Sequence, residues 1–178
     1  EPMEDHIRSL ANAQDSVYRI TNWADPEKIR PVRAKDQSLL RDLGLADAYT
    51  AIYAGNMGMA QEIEALVEIL KACRTNDQIQ FIFMGDGTKR HLIEKAIEEY
   101  DIGNALLLPY QHKTTLERFL SLADIGIVSL APAMEGLAIP SKTYSYLAAG
   151  LPILALAAEH SELKEYAAAG LGAHFAPE

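Results

Sequence analysis

From Ala48 onward the chain repeats one unit: a short apolar run, a loop rich in Gly, Asn, Asp or Pro, then a segment whose apolar residues recur at helical spacing. A strand that is apolar on both faces needs cover on both sides, and a helix between consecutive strands makes them run parallel. The alternation therefore predicts an α/β fold, a Rossmann-like doubly wound parallel sheet. Six strands are legible: AYTAIYAG (48–55), IQFIFMG (79–85), ALLLPY (105–110), IGIVSL (125–130), PILALA (152–157) and AHFAP (173–177). Helices are expected at 61–74, 89–100, 114–122, 141–149 and 161–169. In the first of these, Ile63, Leu66, Val67, Ile69 and Leu70 share one broad face for the sheet, while Glu62, Glu64 and Lys71 point elsewhere. Ser161 is placed to open the last helix, and Gly150 and Gly170 stand where helix ends use a left-handed residue.

Residues 1–47 read as an interdomain linker with edge elements: a short helix near 3–11, an extended segment at 17–21, and a charged connection at 22–37 punctuated by Pro26 and Pro31. Residues 48–178 read as the domain proper. With 178 residues, 49% of them hydrophobic, one sizeable core is affordable. The Glu-Pro start without Met and the end just after a strand lead us to expect a piece of a longer protein. A formal net charge of -9 argues against nucleic acid as a partner, although a small anion needs only local amides and one or two cations. Cys73 is the sole cysteine, so a disulfide framework is excluded; a buried structural thiol in the reducing cytoplasm is expected. No stretch approaches the roughly 20 apolar residues of a membrane span, and the N-terminus lacks a signal-peptide core. Peripheral contact with the inner face of a membrane is left to parts outside this chain.

In an open parallel sheet ligands bind beyond the carboxyl ends of the strands, so the loops after the strands are where chemistry is sought. Gly55-Asn56-Met57-Gly58 follows the first strand, its glycines letting backbone approach a ligand and Asn56 offering a neutral donor; the alternative is a tight turn that needs Gly for its dihedrals alone. Gly85-Asp86-Gly87 closes the second strand, as a ligand-facing turn or an ordinary Asp-Gly turn. After Pro109, Tyr110 and Gln111 can meet a flat base, while His112 and Lys113 are read as solvated.

The run AMEGLAIPSKTYSYLAAGLPILA (133–155) is the sharpest case. Glu135 can accept hydrogen bonds from sugar hydroxyls, Gly136, Leu137 and Ala138 leave amides for a phosphate, and Pro140 is shaped for a first helical turn. Lys142 is either a charge beside a diphosphate or an ordinary exposed lysine. The GxGxxG dinucleotide fingerprint and the P-loop are absent, no nucleophile elbow surrounds Ser141, Ser145 or Ser161, and the five histidines show no metal spacing.

In order along the chain, NWADPEKIRP, YAGNMGMAQ, FMGDGTKRHLIE, LPYQ, LADIGIVSLAP and MEGLAIPSKTYSYLAAGLPILA resemble the C-terminal, donor-binding domain of retaining glycosyltransferases of the GT-B fold, in the large group 1 family (family 4). The resemblance runs from Val17 to the end. It implies a nucleotide-diphosphate sugar as partner, with the base near Tyr110 and Gln111, the diphosphate near the 55–58 loop and the helix opened by Ser141 and Lys142, and the sugar near Glu135, the residue placed in the catalytic role; the 85–87 loop is counted with the donor-binding residues. It implies no cofactor, no metal, and an acceptor site on an N-terminal domain outside this chain.

Two departures stand out. The family's Arg in the first loop and its Lys five residues on correspond to Asn56 and Gln61, which removes two positive charges. The second of its paired glutamates corresponds to Thr143 when matched forward from Glu135 and to Ser145 when matched back from the Ala-Ala-Gly turn. The implied activity is metal-independent transfer of a sugar, UDP-linked in the first instance, to a hydroxyl in polysaccharide or glycolipid synthesis, with amides near Gly58 and at 136–138 carrying the phosphate charge. The alternatives are a sugar-nucleotide epimerase of the same fold and a noncatalytic nucleotide-binding module.

Overall fold

The computed structural model describes residues 2–11, 18, 20, 22–31 and 34–177. Among the described residues two helices precede the sheet, α1 (Pro2–Ala11) and α2 (Gln37–Asp42). Thereafter strands and helices alternate: β1 (Tyr49–Ala54), α3 (Ile63–Cys73), β2 (Ile79–Met84), α4 (Arg90–Glu99), β3 (Ala105–Leu108), α5 (Leu116–Leu120), β4 (Ile125–Ser129), α6 (Lys142–Ala148), β5 (Ile153–Leu156), α7 (Leu163–Ala168) and β6 (Gly172–Phe175). All six strands are parallel, in the order β3-β2-β1-β4-β5-β6. The chain winds outward from β1 to β3, then returns to the centre and winds the other way.

Successive side chains of a strand point to opposite faces. Ile52, Ile82 and Val128 accordingly join Leu39 and Leu40 of α2, Leu120 of α5, Tyr146 of α6 and Leu163 of α7 on one face. Ala51, Tyr53, Phe81, Phe83 and Ile127 join Ile63, Leu66 and Leu70 of α3 and Ile93 and Ala96 of α4 on the other. Burial on both faces is why the strands read as continuous apolar runs. Ile63, Leu66 and Leu70 carry the contact of α3, each worth about 2 kcal/mol on burial, while Val67 and Ile69 are only partly covered.

Both predicted helix ends are present in full. Gly150 and Gly170 take φ of 76° and 78°, and in each case the next residue's amide reaches back to the helix, Leu151 to the Tyr146 carbonyl and Leu171 to that of Tyr166. The last helix starts at Leu163 rather than at Ser161, whose buried hydroxyl accepts the Leu163 amide at 3.3 Å.

Three expectations are corrected. The connection at 22–37 ends by opening a helix: Asp36 caps the amides of Ser38 and Leu39, so that Leu39 and Leu40 enter the core. Cys73 is only partly buried, because it ends α3 at the rim of the core. Pro140 precedes the α6 cap residue, Ser141, instead of forming the first turn. The extended segment read at 17–21 falls partly outside the described residues, which omit Val17, Arg19 and Thr21.

Candidate functional site at the β1 and β4 carboxyl ends

Strands β1 and β4 lie side by side although their connections leave in opposite directions, the arrangement that opens a crevice in a doubly wound sheet. Their pairing is short. Ala51 faces Ile125 and Ile52 faces Gly126, whereas β1 pairs with β2 along its whole length. Beyond Ile52 the two strands part, and the gap is filled from α6: the Tyr146 hydroxyl accepts the Ala54 amide at 2.7 Å.

Three glycine-bearing loops meet above this gap. The Gly55 amide bonds Met84, the Met57 amide bonds Asp86, and the Lys89 amide bonds Met57, each at 2.8 Å. A Cβ on Gly85, at φ 149°, would stand 1.9 Å from the Gly55 oxygen, so close approach as well as backbone conformation requires glycine there. The loop after β4 joins the same cluster through the Ala131 amide and the Ala60 carbonyl, 2.9 Å apart.

Within that cluster the side chains divide. Met57 is fully buried in the core against α3, so its side chain is unavailable to a ligand. Asn56 donates to Gln61 Oε1 at 3.3 Å, and the same oxygen accepts the Gly58 amide at 2.9 Å. The two residues standing in for the family's cations thus hold each other, and the Gly58 amide expected to face a phosphate is already engaged. Asp86 is exposed and accepts the Gly87 amide. Tyr110 is exposed, and Gln111 donates to the Pro109 carbonyl.

The β4 loop also differs from expectation. A 3-10 turn at Pro132–Met134 and the left-handed Gly136, φ 69°, fold the segment back, so that the Leu137 and Ala138 amides both point to the Met134 carbonyl. They are not open donors. One carboxylate oxygen of Glu135 is buried without a hydrogen-bond partner. On α6, Thr143 is fully buried beside Tyr146, while Ser145 lies on another face and is partly exposed, so 145 is the more accessible of the two positions matched to the second glutamate.

Lys142 is the residue the sequence described least well. Its side-chain nitrogen is buried, has no hydrogen-bond partner, and lies 3.3 Å from the centre of the Tyr53 ring. A Cβ on Gly55, at φ 132°, would come within 3.7 Å of that nitrogen, so the backbone at Gly55 forms the wall of its niche. Burial alone pulls the Lys142 pKa from 10.5 down to about 7. Tyr53 is a site residue that sequence reading left inside its strand; its hydroxyl donates to the Asn56 carbonyl at 2.6 Å, and burial pushes its pKa up. The available signal was a phenol two residues before a glycine at a strand end. Lys89 was likewise read only as a helix start, yet it reaches the Gln61 carbonyl at 3.2 Å and Glu64 at 2.8 Å.

Elsewhere, a cleft of about 470 Å³ lined by Leu45, Asn76, Gln80 and Asn104 opens near the N-terminal ends of β2 and β3, away from the crevice. Among the described residues no group of three His, Cys, Asp or Glu is placed to hold a metal ion, and no helix is long and apolar enough to cross a membrane.

Residues 38–178 match the family described as glycosyl transferases group 1. The chain is 29% identical over 164 residues to WbjE of Pseudomonas aeruginosa, assigned as a glycosyltransferase, and covers 40% of that protein with 90% of its own length. It is 27% identical over 153 residues to WcaI of Escherichia coli (strain K12), assigned as a colanic acid biosynthesis glycosyl transferase, where 85% of this chain covers 37% of the relative. The chain thus spans about two fifths of the curated relatives it matches. Among solved structures, Anabaena HepE in complex with UDP superposes with a TM-score of 0.70 at 17% identity, over 89% of this chain and 43% of that one. At that identity the likeness concerns the fold.

Proposed function

The chain belongs to the group 1 glycosyl transferase family, and on that premise we propose that it is the donor-binding domain of a retaining glycosyltransferase acting on a UDP-linked sugar in polysaccharide or glycolipid assembly. The observation that carries the proposal is Lys142: a buried lysine nitrogen without a hydrogen-bond partner or counter-anion, at the switch point where such folds receive a nucleotide. The UDP complex of HepE and the colanic acid assignment of WcaI support the choice of donor and pathway class.

In the proposed reaction the bond between the anomeric carbon and the diphosphate oxygen breaks, and negative charge grows on that oxygen. Lys142, once protonated, offsets the charge. The unpartnered Glu135 oxygen accepts hydrogen bonds from the sugar. The acceptor hydroxyl bonds to the anomeric carbon on the face the diphosphate leaves, and its proton passes to the departing phosphate. The acceptor pocket is assigned to the remainder of the protein.

The test is calorimetric titration of the chain with UDP-, GDP- and ADP-glucose. Saturable binding of UDP-glucose, lost in Lys142→Met, is expected; no heat for any donor at about millimolar concentration removes the proposal. The neutral Asn56 and Gln61 pair favours a second reading, a nucleotide-binding module without turnover. Transfer or slow hydrolysis of a UDP-sugar by the full-length protein, abolished by Glu135→Gln, rejects that reading.

A further inference from the structure

Resting on the donor site just described, we propose that Lys142 carries no proton in the empty site and takes one from solvent when the diphosphate arrives, so that donor binding and proton uptake are one event.

An ammonium has three N–H donors, and in this niche none finds an acceptor among the described residues. The favourable contact is with the Tyr53 ring face, a weaker attraction than the hydration an ammonium surrenders on burial. A neutral amine keeps a ring contact through N–H and avoids that cost.

The surrounding groups do not restore the charge. From β1 comes Tyr53, its hydroxyl committed to the Asn56 carbonyl and its pKa raised by burial. The next loop brings only neutral Gly55 and Asn56. From α6 itself come Tyr144, which bonds Tyr166, and Tyr146, which accepts the Ala54 amide. β4 contributes no titratable side chain, and the loop beyond it brings Glu135, which makes no ion pair with Lys142. Tyr110 lies near the Tyr53 hydroxyl and adds to its shift. Desolvation is the cause that sets Lys142 near neutrality.

A diphosphate entering the crevice changes this balance. Asn56 and Gln61 are neutral and bonded to each other, and Lys89 is paired with Glu64, so among the described residues of the cluster Lys142 is the basic group left to answer the new charge. Both phosphates of a nucleotide-diphosphate sugar are diesters without a titration near neutrality, so a proton taken up on binding UDP-glucose goes to the protein. Free UDP is the poorer probe, because its terminal phosphate titrates near pH 6.

The chain is titrated with UDP-glucose at about pH 8 in phosphate and in Tris, buffers of very different ionisation enthalpy. Close to one proton taken up per donor is expected, with affinity flat below about pH 6.5 and falling about tenfold per pH unit above about pH 7 until the bound-state pKa is reached. Lys142→Met, checked for folding by circular dichroism, loses affinity and shows no uptake. In the empty protein, NMR of chain labelled at lysine Cε shows one resonance moving with a midpoint near neutrality, missing in Lys142→Met. Equal heats in the two buffers with normal UDP-glucose binding, uptake that survives in Lys142→Met, or a lysine set titrating wholly near pH 10 overturns the proposal. Absence of UDP-glucose binding under every condition instead removes the donor-site reading beneath it.

Discussion

The Tyr146 hydroxyl accepts the amide hydrogen of Ala54 at 2.7 Å, joining residues 92 positions apart at the point where β1 and β4 separate. The Gly55 amide is taken by Met84 of β2, so in a parallel ladder the preceding amide, that of Ala54, faces β4. Tyr146 supplies there the acceptor that β4 does not, and its ring rests on Gly126: a Cβ at that residue would lie 2.3 Å from the ring. The same contact sets the position of α6, and with it Lys142.

Gly126→Ala drives a methyl group into that ring and displaces α6. We expect a loss of about 2 to 4 kcal/mol in urea unfolding and weaker UDP-glucose binding, whereas Tyr146→Phe, which keeps the ring and leaves the Ala54 amide unpaired, costs about 1 to 3 kcal/mol. Stability unchanged in Gly126→Ala shows that the wedge is not rigid.

The depressed Lys142 pKa makes stability depend on pH in a definite sense. The unfolded chain keeps its lysine proton up to about pH 10.4, while the folded chain releases it near 7, so between these values the unfolded state binds more protons and stability rises with pH. Against Lys142→Met, whose profile lacks this contribution, the native chain should gain stability by up to about 1.4 kcal/mol per pH unit above neutrality. Parallel profiles for the two proteins refute the shift.

At the opposite end of the strands, Asp124 accepts from Lys35 Nζ at 2.6 Å and from the Thr50 amide at 2.7 Å, while Lys35 also reaches the Ala48 carbonyl at 2.6 Å. This ties the segment before the sheet to β1 and β4. Asp124→Ala strands the Thr50 amide and the lysine together and should cost about 3 kcal/mol; Asp124→Asn, which can still accept from Thr50, should cost about 1 kcal/mol. Equal urea midpoints for the two variants would indicate that the charge pair, lost in both, and not the Thr50 amide, sets the cost.

Asn56→Arg returns a cation to the first loop at the expense of one exposed hydrogen bond to Gln61. UDP-glucose should bind about fivefold more tightly, an effect of about 1 kcal/mol that shrinks as salt is added. Unchanged affinity in the calorimeter places the diphosphate away from this loop.

The periodic apolar runs and the turn residues between them determined the doubly wound sheet, the two faces of its core, and the glycine ends at Gly150 and Gly170, because those features depend on local spacing and backbone sterics. They also marked the loops that meet at the crevice. Tertiary structure alone decided which groups in those loops remain unpaired. Gln61 reaches the Gly58 amide, Met134 collects the amides of Leu137 and Ala138, and Lys142 is left without a partner against Tyr53, a residue 89 positions earlier. Hydrogen-bond satisfaction and desolvation depend on neighbours distant in the chain, so a motif can name the residues of a site while the packing around them settles their charge.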